Sequence, residues 1–99
     1  MPTMREFQKK LSDLNVHELG EEIYLKSLCE LGLEFYVNRP SELGEAFHLR
    51  GSINGRIAEV LGVADTEFIS ENMRDILDAL NEGRSVETIS RMFTGAPVY

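Results

Sequence analysis

The chain has no tryptophan and only one cysteine, Cys29. A lone thiol excludes an internal disulfide and fits a reducing compartment. Cys29 stands among Leu25, Leu28 and Leu31, which predicts a small buried thiol rather than a reactive one. No apolar run approaches the length of a membrane span, and the start Met1, Pro2, Thr3, Met4 lacks the apolar core of a secretory signal. The expectation is a soluble, cytoplasmic protein. Basic side chains are also scarce: ten Lys and Arg against seventeen Asp and Glu give a net charge of −7. Such a balance repels phosphate backbones and anionic lipid, so it disfavours direct nucleic-acid binding and a membrane partner.

Catalytic patterns are missing as well. The glycines at 20, 32, 44, 51, 55, 62, 83 and 95 form neither G-x-G-x-x-G nor a P-loop. No serine lies in a nucleophile-elbow context, and Cys29 has no histidine near it in sequence. His17 and Glu21 would share one helix face, but two ligands do not make a metal site, and His48 has no ligand-spaced companion. A chain of 99 residues builds one domain and leaves little room for a cleft between two. The reading is a non-enzymatic protein with no metal and no cofactor.

What the chain does contain is helical periodicity. Met4, Phe7, Leu11 and Leu14 recur at spacings of three and four, and Thr3 with Glu6 forms a capping-box pattern. Asn15 with Glu18 repeats that pattern and opens a segment in which Val16, Leu19, Ile23, Leu28, Leu31 and Phe35 keep helical register. Its end, Leu31 to Val37, is apolar nearly all round, which suits the domain centre or a subunit contact. Asn38, Arg39 and Pro40 break the helix, and another restarts near Ser41 with Leu43, Ala46, Phe47 and Leu49. Gly51 and Gly55 then predict a helix break in preference to a hairpin at Asn54-Gly55.

A short helix follows with Ile57, Ala58, Val60 and Leu61, stopped by Gly62. Asp65 can cap the next helix, and Gly83 closes it. Ser85 caps a last helix with Val86, Ile89, Met92 and Phe93 inward, and residues 94–99 read as an extended tail. The fold class is therefore all-α: a single domain over 1–99, a compact bundle of about five short to medium helices, with helix-turn-helix-like packing in its C-terminal half.

The most patterned surface lies on the helix before Gly83. Glu67, Glu71, Asp75, Asp78 and Glu82 fall within about 80° of helical arc, opposite Ile69, Met73, Ile76, Leu77 and Leu80. Residues 58 to 83 hold seven acids against Arg74 alone. The stripe contains like-charge pairs at 67/71, 71/75, 75/78 and 78/82, each costing about 0.2–0.5 kcal/mol. Asp78 and Glu82 also stand toward the negative end of the helix dipole. A face selected for solubility alone would alternate its charges, so this stripe reads as a partner-binding surface for a basic protein.

Two segments resemble known DNA-binding elements. Ile57, Ala58, Leu61, Gly62, Val63 and Asp65 resemble the first helix and turn of a helix-turn-helix. Gly83, Arg84, Ser85, Val86, Ile89 and Phe93 are similar to the opening helix of resolvase-like helix-turn-helix segments, after which the chain stops at Tyr99. The first resemblance implies a recognition helix, yet Glu67, Glu71 and Asp75 would repel DNA there. In size, charge and lack of catalytic chemistry the chain is similar to small acidic inhibitors from phages and mobile elements.

Three functions are expected, in order. The first is a nucleic-acid mimic whose carboxylate stripe blocks a basic nucleic-acid-handling protein. The second is a helix-turn-helix regulator using Arg50, Arg56, Arg84 and Arg91 on phosphates. The third is a homo-oligomeric subunit, for instance a homodimer, joined through Phe35, Tyr36, Val98 and Tyr99.

Overall fold

A computed structural model describes residues 3–38, 43–63 and 66–94. These residues form six helices: α1 (Met4–Asp13), α2 (Val16–Leu19), α3 (Glu21–Asn38), α4 (Leu43–Leu61), α5 (Thr66–Asn81) and α6 (Val86–Thr94). The all-α bundle is as the periodicity predicts. Residues 95–99, most of the expected tail, lie outside the described residues, as do Pro40, Ser41 and Asp65.

Local chemistry sets most of the helix ends. The Thr3 hydroxyl accepts from the Glu6 amide at 3.2 Å and starts α1, whose Met4, Phe7 and Leu11 are buried. Asn15 Oδ1 accepts from the His17 amide at 2.9 Å and starts α2. Ser85 Oγ accepts from the Thr88 amide at 3.1 Å and starts α6. Gly62 and Gly83 have φ of 70° and 88°, a left-handed conformation that a side chain disfavours. Each closes a Schellman motif. Val63 N–H donates to Ala58 C=O and Gly62 N–H to Glu59 C=O; Arg84 N–H donates to Ala79 C=O and Gly83 N–H to Leu80 C=O.

Two expectations fail at other glycines. The segment expected to run unbroken from Val16 to Phe35 is divided at Gly20, whose φ of 82° and ψ of 158° are not helical. Tyr24 N–H donates to Gly20 C=O and a new helix begins. That restart shifts the helical phase, which leaves Ile23 57% exposed instead of inward. Conversely, α4 continues straight through Gly51 and Gly55, where a break was expected. Its buried stripe of Leu49, Ile53, Ile57 and Leu61 explains why. Burying four such side chains contributes about 6 kcal/mol or more, against about 1 kcal/mol lost per helical glycine.

α3 packs against α1, α2, α4 and α5, while α4 packs against α1, α5 and α6. Leu25, Leu28, Cys29, Leu31 and Phe35 on α3 are all buried, and Phe7 meets Phe35 edge to face with ring centroids 5.4 Å apart. The α3–α5 crossing is close because position 32 is glycine. A Cβ there would lie 2.5 Å from Met73 Sδ and 3.3 Å from Ile53 Cγ2. Two C-terminal carbonyls are held by neighbouring helices: Arg56 Nη1 donates to Leu11 C=O at 3.0 Å, and the Ser90 hydroxyl donates to Leu61 C=O.

Candidate functional surface on α5

The sequence of α5 divides it into two faces. Ile69, Met73, Ile76, Leu77 and Ala79 are buried against the other helices. Glu67, Glu71, Asp75, Asp78 and Glu82 are all exposed. Glu82 lies one residue past α5 but continues its ladder, since its amide donates to Asp78 C=O at 3.0 Å. At about 1.5 Å rise per residue the stripe extends roughly 22 Å, with neighbouring positions about 4.5–6 Å apart along the axis.

Little cationic charge offsets this face. Arg84 Nε lies 3.4 Å from Glu82 Oε2, at the stripe's C-terminal end. Among the described residues no ion pair reaches Glu71, Asp75 or Asp78, and Arg74 forms none with its acidic neighbours. The last turn of α5 carries no basic residue to complement the helix dipole.

Other expected site residues fare differently. Phe35 is only 4% exposed, so of the two settings expected for Leu31 to Val37 it occupies the domain centre and is not available as a subunit contact. Tyr36 is half-buried, and its hydroxyl donates to Ser70 Oγ at 2.8 Å. Val98 and Tyr99 lie outside the described residues. His17 and Glu21 do not share a helix face, because Gly20 separates α2 from α3 between them. Among the described residues no group of three or more His, Cys, Asp or Glu could hold a metal ion. Burial, and secondarily the Glu30 carboxylate, pushes the Cys29 thiol from its usual 9.0 up to about 12, which keeps it protonated and poorly nucleophilic.

α4, α5 and α6 pack on one another, giving the tri-helical arrangement expected of the C-terminal half. Three of the four arginines that a DNA-binding reading requires are engaged within the protein. Arg56 holds Leu11 C=O, Arg84 meets Glu82, and Arg91 meets Glu87 across one helical turn. Arg50 lies over the Phe47 ring at 5.4 Å. No family model, curated protein or solved structure matches the chain. Among the described residues no helix is long and apolar enough to cross a membrane.

Two features escaped the sequence reading. Asn54 is buried at 4% exposure, and its Nδ2 donates to Ser70 Oγ at 2.6 Å while its Oδ1 has no partner. Ser70 thus accepts from both Tyr36 and Asn54, joining α3, α4 and α5. The second feature is Phe47, exposed at 66% although apolar. Nothing in the local sequence separates Asn54 from an ordinary helix residue, because its environment is assembled from other helices.

Proposed function

We propose that the protein is a non-enzymatic binding module that presents the α5 carboxylate face to a basic groove on a nucleic-acid-handling protein. The carrying observation is that Glu71, Asp75 and Asp78 stand exposed in one row without an ion pair among the described residues. A row of fixed negative charges on a rigid helix offers a cationic groove what a phosphate backbone offers it, with the charges already positioned. The like-charge spacing costs the fold about 1 kcal/mol in sum, which a partner's cations would offset. In a cell such a module would act as an inhibitor of its partner, in the manner of a small phage-type protein.

The test is affinity capture on the immobilised protein from its native host lysate, at low and high salt and with and without nuclease. The expected partner is basic, released by salt, insensitive to nuclease and displaced by added duplex DNA. It should be lost when Glu71, Asp75 and Asp78 are all changed to lysine. Equal capture by that triple variant would reduce α5 to a solvated face. A helix-turn-helix regulator remains the second reading, favoured by the mutual packing of α4, α5 and α6. It requires salt-dependent binding of the purified protein to DNA.

A further inference from the structure

We propose that the cleft between α1 and α4 binds a small carboxylate that carries an apolar body. The cleft has a volume of about 370 Å³, inside the roughly 300–1,000 Å³ range of small-ligand sites. Leu11 and Leu49, both buried, form its floor. Gln8 and Ser12 of α1 stand on one side, with His48, Ser52 and Arg56 of α4 on the other. Because positions 48, 52 and 56 are four apart, the three α4 side chains form one row along the cleft.

Charge selects the ligand. Acids outnumber bases seventeen to ten in the chain, yet no carboxylate lines the cleft among the described residues. The stretch from Ala46 to Ala58 contains no acid at all, while it carries His48, Arg50 and Arg56. Arg56 is half-buried, and its bond from Nη1 to Leu11 C=O anchors the guanidinium at the cleft wall. Its other N–H groups meet no protein acceptor among the described residues, nor do the side chains of Gln8, His48 and Ser52 form a hydrogen bond there. Ser12 gives its proton to Lys9 C=O and can only accept.

The cleft therefore offers the remaining N–H groups of Arg56 together with donors from His48, Ser52 and Gln8, none of which meets an acceptor among the described residues. A guanidinium fixed at one nitrogen presents the rest of its planar fork, which suits the two oxygens of a carboxylate. One fixed cation balances one negative charge. The leucine floor then favours an apolar body behind that charge, because water released from both surfaces adds to binding. The site uses no residue of the α5 face and stands or falls apart from it.

Nitrogen-15-labelled protein titrated with benzoate, and in parallel with benzyl alcohol and inorganic phosphate at constant ionic strength, decides the matter. Benzoate should shift the amides of the cleft residues saturably, and more tightly than either control. Arg56→Lys should weaken it about tenfold, since a charged hydrogen-bond pair is lost while the charge is kept. Ser52→Ala and His48→Ala, both at exposed positions that leave the core untouched, should each weaken it several-fold. Shifts that fail to saturate would overturn the proposal. So would benzyl alcohol matching benzoate, because the charge would then be idle, or phosphate matching it, because the leucine floor would be. Wild-type affinity in both Ser52→Ala and His48→Ala would overturn it even if Arg56→Lys failed to fold.

Discussion

Replacing Gly32 by alanine tests the close crossing of α3 and α5. The new methyl would sit 2.5 Å from Met73 Sδ and 2.8 Å from its Cε, and Met73 is itself 1% exposed, so its thioether has no open space to move into. Overpacking of this kind costs about 1–3 kcal/mol. Alanine also favours the helix over glycine by about 1 kcal/mol, so the net loss should be about 1 kcal/mol. For a domain of this size that lowers Tm by about 4–8 °C. Met73→Ala alone should cost about 2–5 kcal/mol, since it empties a packed site. In the double variant the added methyl enters the vacated volume, and Gly32→Ala should become neutral or stabilising. The coupling between the two sites should therefore be about 1–3 kcal/mol, read from urea unfolding of all four proteins at constant m. If Gly32→Ala cost the same with and without Met73, the crossing would not be what holds position 32 to glycine.

Three further outcomes follow from the same geometry. Ser70→Ala should destabilise by about 1–3 kcal/mol and more than Tyr36→Phe, because it removes the shared acceptor of a half-buried hydroxyl and a buried amide; chemical denaturation of both variants checks the order. Native Cys29 should resist alkylation at pH 8, and because its thiol titrates higher in the fold than in the open chain, stability should fall as pH rises above 9.0 toward about 12. The slope should approach 1.4 kcal/mol per pH unit, roughly, and vanish in Cys29→Ala. Asp78→Lys should raise stability by about 0.5 kcal/mol at low salt and less at high salt, since it removes like pairs and suits the dipole of α5; a thermal melt that shows a loss instead would contradict the electrostatic reading.

The α5 stripe was legible because both its faces are written in one continuous helix, so periodicity alone places Ile69 inward and Glu71 outward. The helix stops at Gly62 and Gly83 were legible for a similar reason, since left-handed backbone followed by a Schellman pair is decided within six residues. Thr3, Asn15 and Ser85 likewise cap helices through contacts two or three residues away.

Other glycines carried no such local signature. Gly51 and Gly55 resemble a break until the burial of Leu49, Ile53, Ile57 and Leu61 outweighs their helix penalty. Gly20 looks like an interior residue of a continuing helix until its backbone turns the chain between α2 and α3. Gly32 looks no different, and only Met73, forty-one positions later, requires it to lack a side chain. The same holds for the α1–α4 cleft, where Arg56 reaches Leu11 across forty-five positions.

Sequence by itself determined the helical class, where the polar caps lie and that one helix bears an acidic row, because each of these is a matter of neighbours within a turn or two. Tertiary structure alone decided that Gly20 divides a helix while Gly51 and Gly55 do not, that Phe35 is core rather than contact, and that an acidic protein has a cleft lined by no carboxylate among the described residues. Those outcomes depend on burial summed over several helices, and no window of sequence contains that sum.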